Sequence, residues 1–153
     1  MNAPRLQLLL KSSARASAAL FALSVATAWG APGDGSKGED LFKQNCSMCH
    51  STEAGRNMVG PSLFSVLGRP AATVAGFSYS SAMKDSRVVW NADELMAYLK
   101  APRKYMPGAK MMFSGLADQQ DRANVVAFLA TLGATGVGPQ AAATQIQAAQ
   151  ASE

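Results

Sequence analysis

The segment Cys46-Ser47-Met48-Cys49-His50 constrains this chain more than any other, because it holds both cysteines and the sole histidine among 153 residues. Any site that needs soft ligands has to be built from these five positions. Structural zinc takes four ligands, whereas two Cys and one His supply only three. A thiol–disulfide redox pair belongs in a βαβ setting, which the surrounding sequence does not provide. Covalent haem attachment fits: two thiols one helical turn apart add across the two vinyl groups on a haem edge, and the next residue points an imidazole at the iron. The segment therefore predicts one haem c, held through Cys46 and Cys49, with His50 as a metal ligand.

Iron in such a site takes a further ligand on its far side or keeps that position open for a substrate. A thioether suits an electron carrier, because it favours the reduced metal and raises the potential. Of eight methionines, Met1 falls in the leader described next, Met48 lies inside the attachment segment and Met96 sits on a helix, where core packing explains it. Met106, Met111 and Met112 lie in a Pro/Gly-containing loop that can close over the second haem face. Spacing alone leaves all three open.

Arg5, Lys11 and Arg15 are the only charges before Asp34, and Ala16 to Ala28 is a small, apolar run ending in Ala26-Thr27-Ala28. This form predicts a secretory signal peptide over residues 1–28, and export to the periplasm. The run falls short of the roughly 20 residues that span a bilayer, so no membrane anchor is expected. Its removal takes three basic residues out of the formal net charge of +4, so the basic excess belongs mostly to the leader. Residues 29–133 then form one domain. Residues 134–153, rich in Ala and Gln, are expected to be a disordered or weakly helical tail.

Within the domain, Ser36-Lys37-Gly38-Glu39 has the form of a capping box and predicts a helix from Lys37 into the cysteine segment. Leu63 to Leu67 suggests a brief helical turn. Asn91-Ala92-Asp93-Glu94, with Trp90 before it and Leu95 after it, starts a second helix that stops ahead of Pro102. Pro102 to Gly115 reads as a loop over something apolar. Asp118 and Asp121 open a last helix, whose Val125, Phe128, Leu129 and Leu132 share one face and which Gly133 closes. No segment alternates with period two. The fold class is therefore all-α: three principal helices and long connections around a cofactor that completes a small interior.

Further landmarks stand in order along the chain: Gly38 and Phe42, Gly60-Pro61, Gly68-Arg69, Gly76-Phe77-Ser78-Tyr79-Ser80, Trp90, Leu95 to Leu99, Pro107-Gly108-Ala109-Lys110-Met111-Met112-Phe113, and Arg122 to Leu129. In this series the chain resembles the class I c-type cytochromes, of the bacterial monohaem kind close to mitochondrial cytochrome c. The resemblance implies the cytochrome c fold and selects Met111 as the second metal ligand. It also implies that the Pro61 carbonyl orients His50, that Arg69, Tyr79 and Trp90 bond a buried haem propionate, and that Ser80 bonds the outer one. Tyr98 matches the tyrosine whose hydroxyl reaches the methionine sulfur. Gly38 is expected to let the first and last helices cross closely, with Phe42 and Phe128 at the crossing. Ala109 and Met83 depart from positions where mitochondrial relatives carry a hydroxyl and an amide around a buried water.

The function implied is one-electron transport through an exposed haem edge, without enzymatic turnover. A haem peroxidase-like module is the enzymatic alternative, but it needs an open iron and acid–base groups where the chain has no second histidine. A gas or redox sensor, in which the thioether leaves the iron for a diatomic ligand, is the other. Expected partners are redox proteins: a cytochrome bc complex as donor, and a terminal oxidase or photosynthetic reaction centre as acceptor. They would meet a monomer through a thin basic rim of Lys43, Lys84, Arg103, Lys104 and Lys110. No nucleic-acid partner is expected.

Overall fold

Capped helix starts and one close helix crossing organise the chain in the computed structural model, which describes residues 32–133 and 139–152. The expected leader, residues 1–28, lies outside the described residues. Helix α1 spans Gly35–Asn45. Its cap is Asp34, not Ser36 as the capping-box pattern suggests: the Asp34 carboxylate accepts from the Ser36 and Lys37 backbone N–H groups. A carboxylate there also meets the positive end of the helix dipole. The Asp34 N–H donates to Asn124 Oδ1 at 2.8 Å and so ties the start of α1 to the last helix of the predicted domain.

Helix α2, Ser81–Asp85, is a short addition to the expected set, capped by the Ser80 hydroxyl. Helix α3 covers Ala92–Lys100, and Asn91 Oδ1 accepts from the Glu94 N–H at 2.8 Å as its cap. Trp90 and Leu95, on either side of that cap, are both buried. The stretch expected to be a loop begins with one more helical turn, α4, Pro102–Tyr105, where Pro102 fits a first helical position. Helix α5, Gln119–Ala130, is capped by Asp118 and ends near Gly133, which has φ +104°.

Helices α1 and α5 cross at Gly38. A Cβ there would lie 1.9 Å from the Asn124 carbonyl oxygen, so only glycine permits the approach. One turn on, Phe42 and Phe128 pack with ring centroids 5.3 Å apart. This crossing fixes the end of α1, and with it the cysteine segment. Among the described residues there is no β-strand, only a single bridge between Pro70 and Val89.

Of the two forms expected of the tail, disordered or weakly helical, its described residues take the helical one, and it is docked. Pro139–Ala151 forms helix α6, which packs against α3 and α5. Ile146 and Ala149 are 1% and 4% exposed, and Gln119 Nε2 donates to the Gln150 carbonyl. Ala and Gln are good helix formers, and docking supplies the stabilisation that such a segment lacks alone. No helix among the described residues is long and apolar enough to cross a membrane.

Candidate functional site

The end of α1 builds the first flank of the site. The Cys46 carbonyl accepts from the N–H groups of both Cys49 and His50, at 3.0 and 2.9 Å, so the chain turns tightly through the whole segment. Both thiols are free. Burial pushes the Cys46 thiol up to about 11, with a smaller contribution from Cys49. Among the described residues, no three His, Cys, Asp or Glu side chains gather as a metal cage.

His50 is fixed by backbone. Its Nδ1 donates to the Pro61 carbonyl at 2.8 Å, since a carbonyl can only accept, and this leaves Nε2 as the ring's donor atom toward a metal. Burial lowers the imidazole pKa and the Pro61 bond partly opposes that shift, which favours the neutral ring. Gly60 packs flat against the same ring: a Cβ would fall 2.4 Å from Cε1 and 2.8 Å from Nε2. The Gly60 N–H in turn donates to the Cys49 carbonyl at 2.8 Å.

The second flank comes from α3 and the chain after α4. The Tyr98 hydroxyl donates to Met111 Sδ at 3.3 Å, and the Trp90 ring lies 5.0 Å from Tyr98. Burial raises the Tyr98 phenol to about 12, so it stays a donor. The three methionines left open by spacing separate clearly: Met106 is 6% exposed in the core and Met112 is 84% exposed, while Met111 is half-buried against Tyr98. Lys110 Nζ reaches across to the Ser78 carbonyl at 2.9 Å, pinning the loop. Beyond it, the Leu116 N–H bonds the Leu99 carbonyl, and Gly115, at φ +105°, passes so close to the end of α3 that a Cβ would meet the Lys100 carbonyl.

Arg69 donates to the Phe64 and Ser62 carbonyls, at 2.7 and 3.0 Å. Burial lowers its pKa, and the Tyr79 phenol partly opposes that shift. Ser80 also caps α2 with its hydroxyl oxygen, a role the sequence did not suggest. Of the cations expected to form a basic rim, Lys43 is ion-paired with Glu39 on its own helix at 2.8 Å, because the two stand one turn apart. Lys84, Arg103 and Lys104 are exposed. Ala109 and Met83 pack against the core as half-buried apolar groups.

Two free thiols, a neutral imidazole with Nε2 unused by the backbone and a thioether held by a phenol form a donor set that fits haem c. A family model described as Cytochrome c matches residues 35–133. The chain belongs to the cytochrome c family. Cytochrome c of Cochliobolus lunatus is 46% identical over 98 residues, spanning 63% of this chain and 91% of that protein. Cytochrome c of Euglena viridis is 41% identical over 100 residues, 65% of this chain and 98% of its own length. Among solved structures, cytochrome cH from Methylobacterium extorquens is similar with a TM-score of 0.61 and 37% identity, covering 65% of this chain and 99% of that one. This cytochrome c is thus a haem-based electron carrier, not an enzyme, and its Cys46 and Cys49 fit the attachment motif for covalent haem c.

Sequence reasoning missed two contacts of the site. The packing of Gly60 on His50 has no local signal beyond a glycine before proline. Lys110 binding Ser78 joins residues far apart in the chain, and no pattern announces it.

Proposed function

We propose that this cytochrome c carries single electrons in the periplasm, and that His50 and Met111 would hold the haem iron. The observation that carries the reading is the Tyr98 hydroxyl on Met111 Sδ, which singles out one thioether of the three that spacing leaves open. When bound, haem c supplies a one-electron iron couple and a conjugated edge for the electron to cross. The chain's own residues hold that couple in place and set its potential. Pro61 and Gly60 keep the His50 ring from rotating and keep its proton on Nδ1. Tyr98 points the positive end of an O–H dipole at Met111 Sδ, which disfavours further positive charge there and so favours the reduced state. Arg69, Tyr79 and Trp90 supply donors for a buried propionate, with Ser80 near the outer one; a carboxylate taken out of water needs such partners.

Export rests on the leader over residues 1–28, which also sets residues 29–133 as the working domain. The partners proposed are a cytochrome bc complex as donor and a terminal oxidase or photosynthetic reaction centre as acceptor. They would meet a monomer through exposed cations, among them Lys84, Arg103 and Lys104. Replacing Met111 with Ala tests the central assignment. The substitution lowers the reduction potential and lets carbon monoxide bind the reduced protein rapidly, whereas the parent protein resists it. A variant with unchanged potential and no carbon monoxide binding would remove Met111 from the site.

A further inference from the structure

An aromatic series leads away from Met111. Tyr98, which bonds its sulfur, packs on Trp90 at 5.0 Å on one side and on Tyr105 at 5.6 Å, edge to face, on the other. Both distances are those of rings in contact. The series ends chemically at Tyr105, whose hydroxyl donates to Glu94 Oε2 on α3. The two phenols therefore differ in what receives their protons: a weakly basic thioether for Tyr98, a carboxylate for Tyr105. That difference decides where an oxidising equivalent comes to rest, because a phenol that loses an electron becomes strongly acidic and is stabilised only if its proton has somewhere to go.

We propose that Tyr105 and Glu94 form a second, proton-coupled redox site, which drains oxidising equivalents from Tyr98 and Met111 and holds them as a neutral tyrosyl radical. The oxidant is a one-electron radical such as the azide radical, which becomes azide. Tyr98 passes the electron vacancy to Tyr105; the Tyr105 O–H bond breaks, its proton moves to Glu94 Oε2, and its electron returns through Tyr98. The net change is one azide, one Tyr105 phenoxyl radical and one protonated Glu94. In the resting protein Tyr105 keeps its proton, since burial, then the Glu94 hydrogen bond and charge, hold its pKa well above the ordinary value. Both residues are half-buried, so the radical forms away from the buried Tyr98.

The test uses ferric holoprotein exposed to azide radicals generated by pulse radiolysis, with phenoxyl absorbance and freeze-quenched electron paramagnetic resonance as readouts. The parent protein gives a tyrosyl signal that is lost in Tyr105→Phe. In Glu94→Gln, which keeps every ring, the phenoxyl yield drops about tenfold, the scale of one charge-assisted hydrogen bond. Haem absorbance that matches the parent shows that each variant is folded; if Tyr105→Phe fails this check, Glu94→Gln alone decides. A tyrosyl signal that survives in Tyr105→Phe, or a yield unaffected by Glu94→Gln, would overturn the proposal.

Discussion

The two flanks of the site are built by different means. Around His50, backbone does the holding: the Pro61 carbonyl takes the ring proton, the Gly60 backbone lies against the ring face, and the Cys46 carbonyl gathers the turn. All of these residues lie within one short stretch of chain. Around Met111 the contacts are side chains brought from afar, the Tyr98 hydroxyl on the sulfur and the Lys110 ammonium on the Ser78 carbonyl. A flank held by backbone has one arrangement and fails when that is blocked. One held by side chains tolerates substitution, and under the proposed ligation it is where the potential would be tuned.

Gly60→Ala is the most severe way to break this contrast. Its methyl group would overlap the His50 ring, and overpacking of this kind costs about 1–3 kcal/mol or more. The expected outcome is a large fall in mature, haem-loaded protein, measured as haem absorbance per polypeptide. Normal loading with an unchanged potential would show that the imidazole flank is not rigid. A smaller effect is expected from Tyr98→Phe, which removes the hydrogen bond on Met111 and keeps the ring. The protein stays loaded, and the potential falls by an amount on the order of tens of millivolts, the equivalent of one neutral hydrogen bond. If redox titration gives the same potential for Tyr98→Phe and the parent, the thioether flank does not tune through this phenol.

The same contrast governs what could be read from the sequence. The His50 flank was largely legible because its chemistry is compressed into neighbouring residues, and the helix starts at Asn91 and Asp118 were legible because a cap is a local pattern. The cap of α1 moved two residues, to Asp34, since a carboxylate and a hydroxyl both suit that end of a helix and only the tie to Asn124 separates them. Spacing could not choose Met111. The choice came from resemblance to a family, and its physical reason, a phenol on α3 reaching the sulfur, exists only in the folded chain. Glu94 and Tyr105 meet for a similar reason: the turn between α3 and α4 brings together groups eleven residues apart, too distant to touch along a single helix. The docking of helix α6 escaped because a segment of Ala and Gln with a single large apolar residue, Ile146, carries too weak a stripe to reveal a buried face.

X-ray absorption at the iron edge of the holoprotein tests the central claim most directly, because it counts sulfur and nitrogen atoms bound to the metal. With His50 and Met111 as ligands, the parent protein shows one sulfur in the iron's first coordination shell, and Met111→Ala shows none. A sulfur that persists in Met111→Ala, or one that is absent from the parent, would contradict the account.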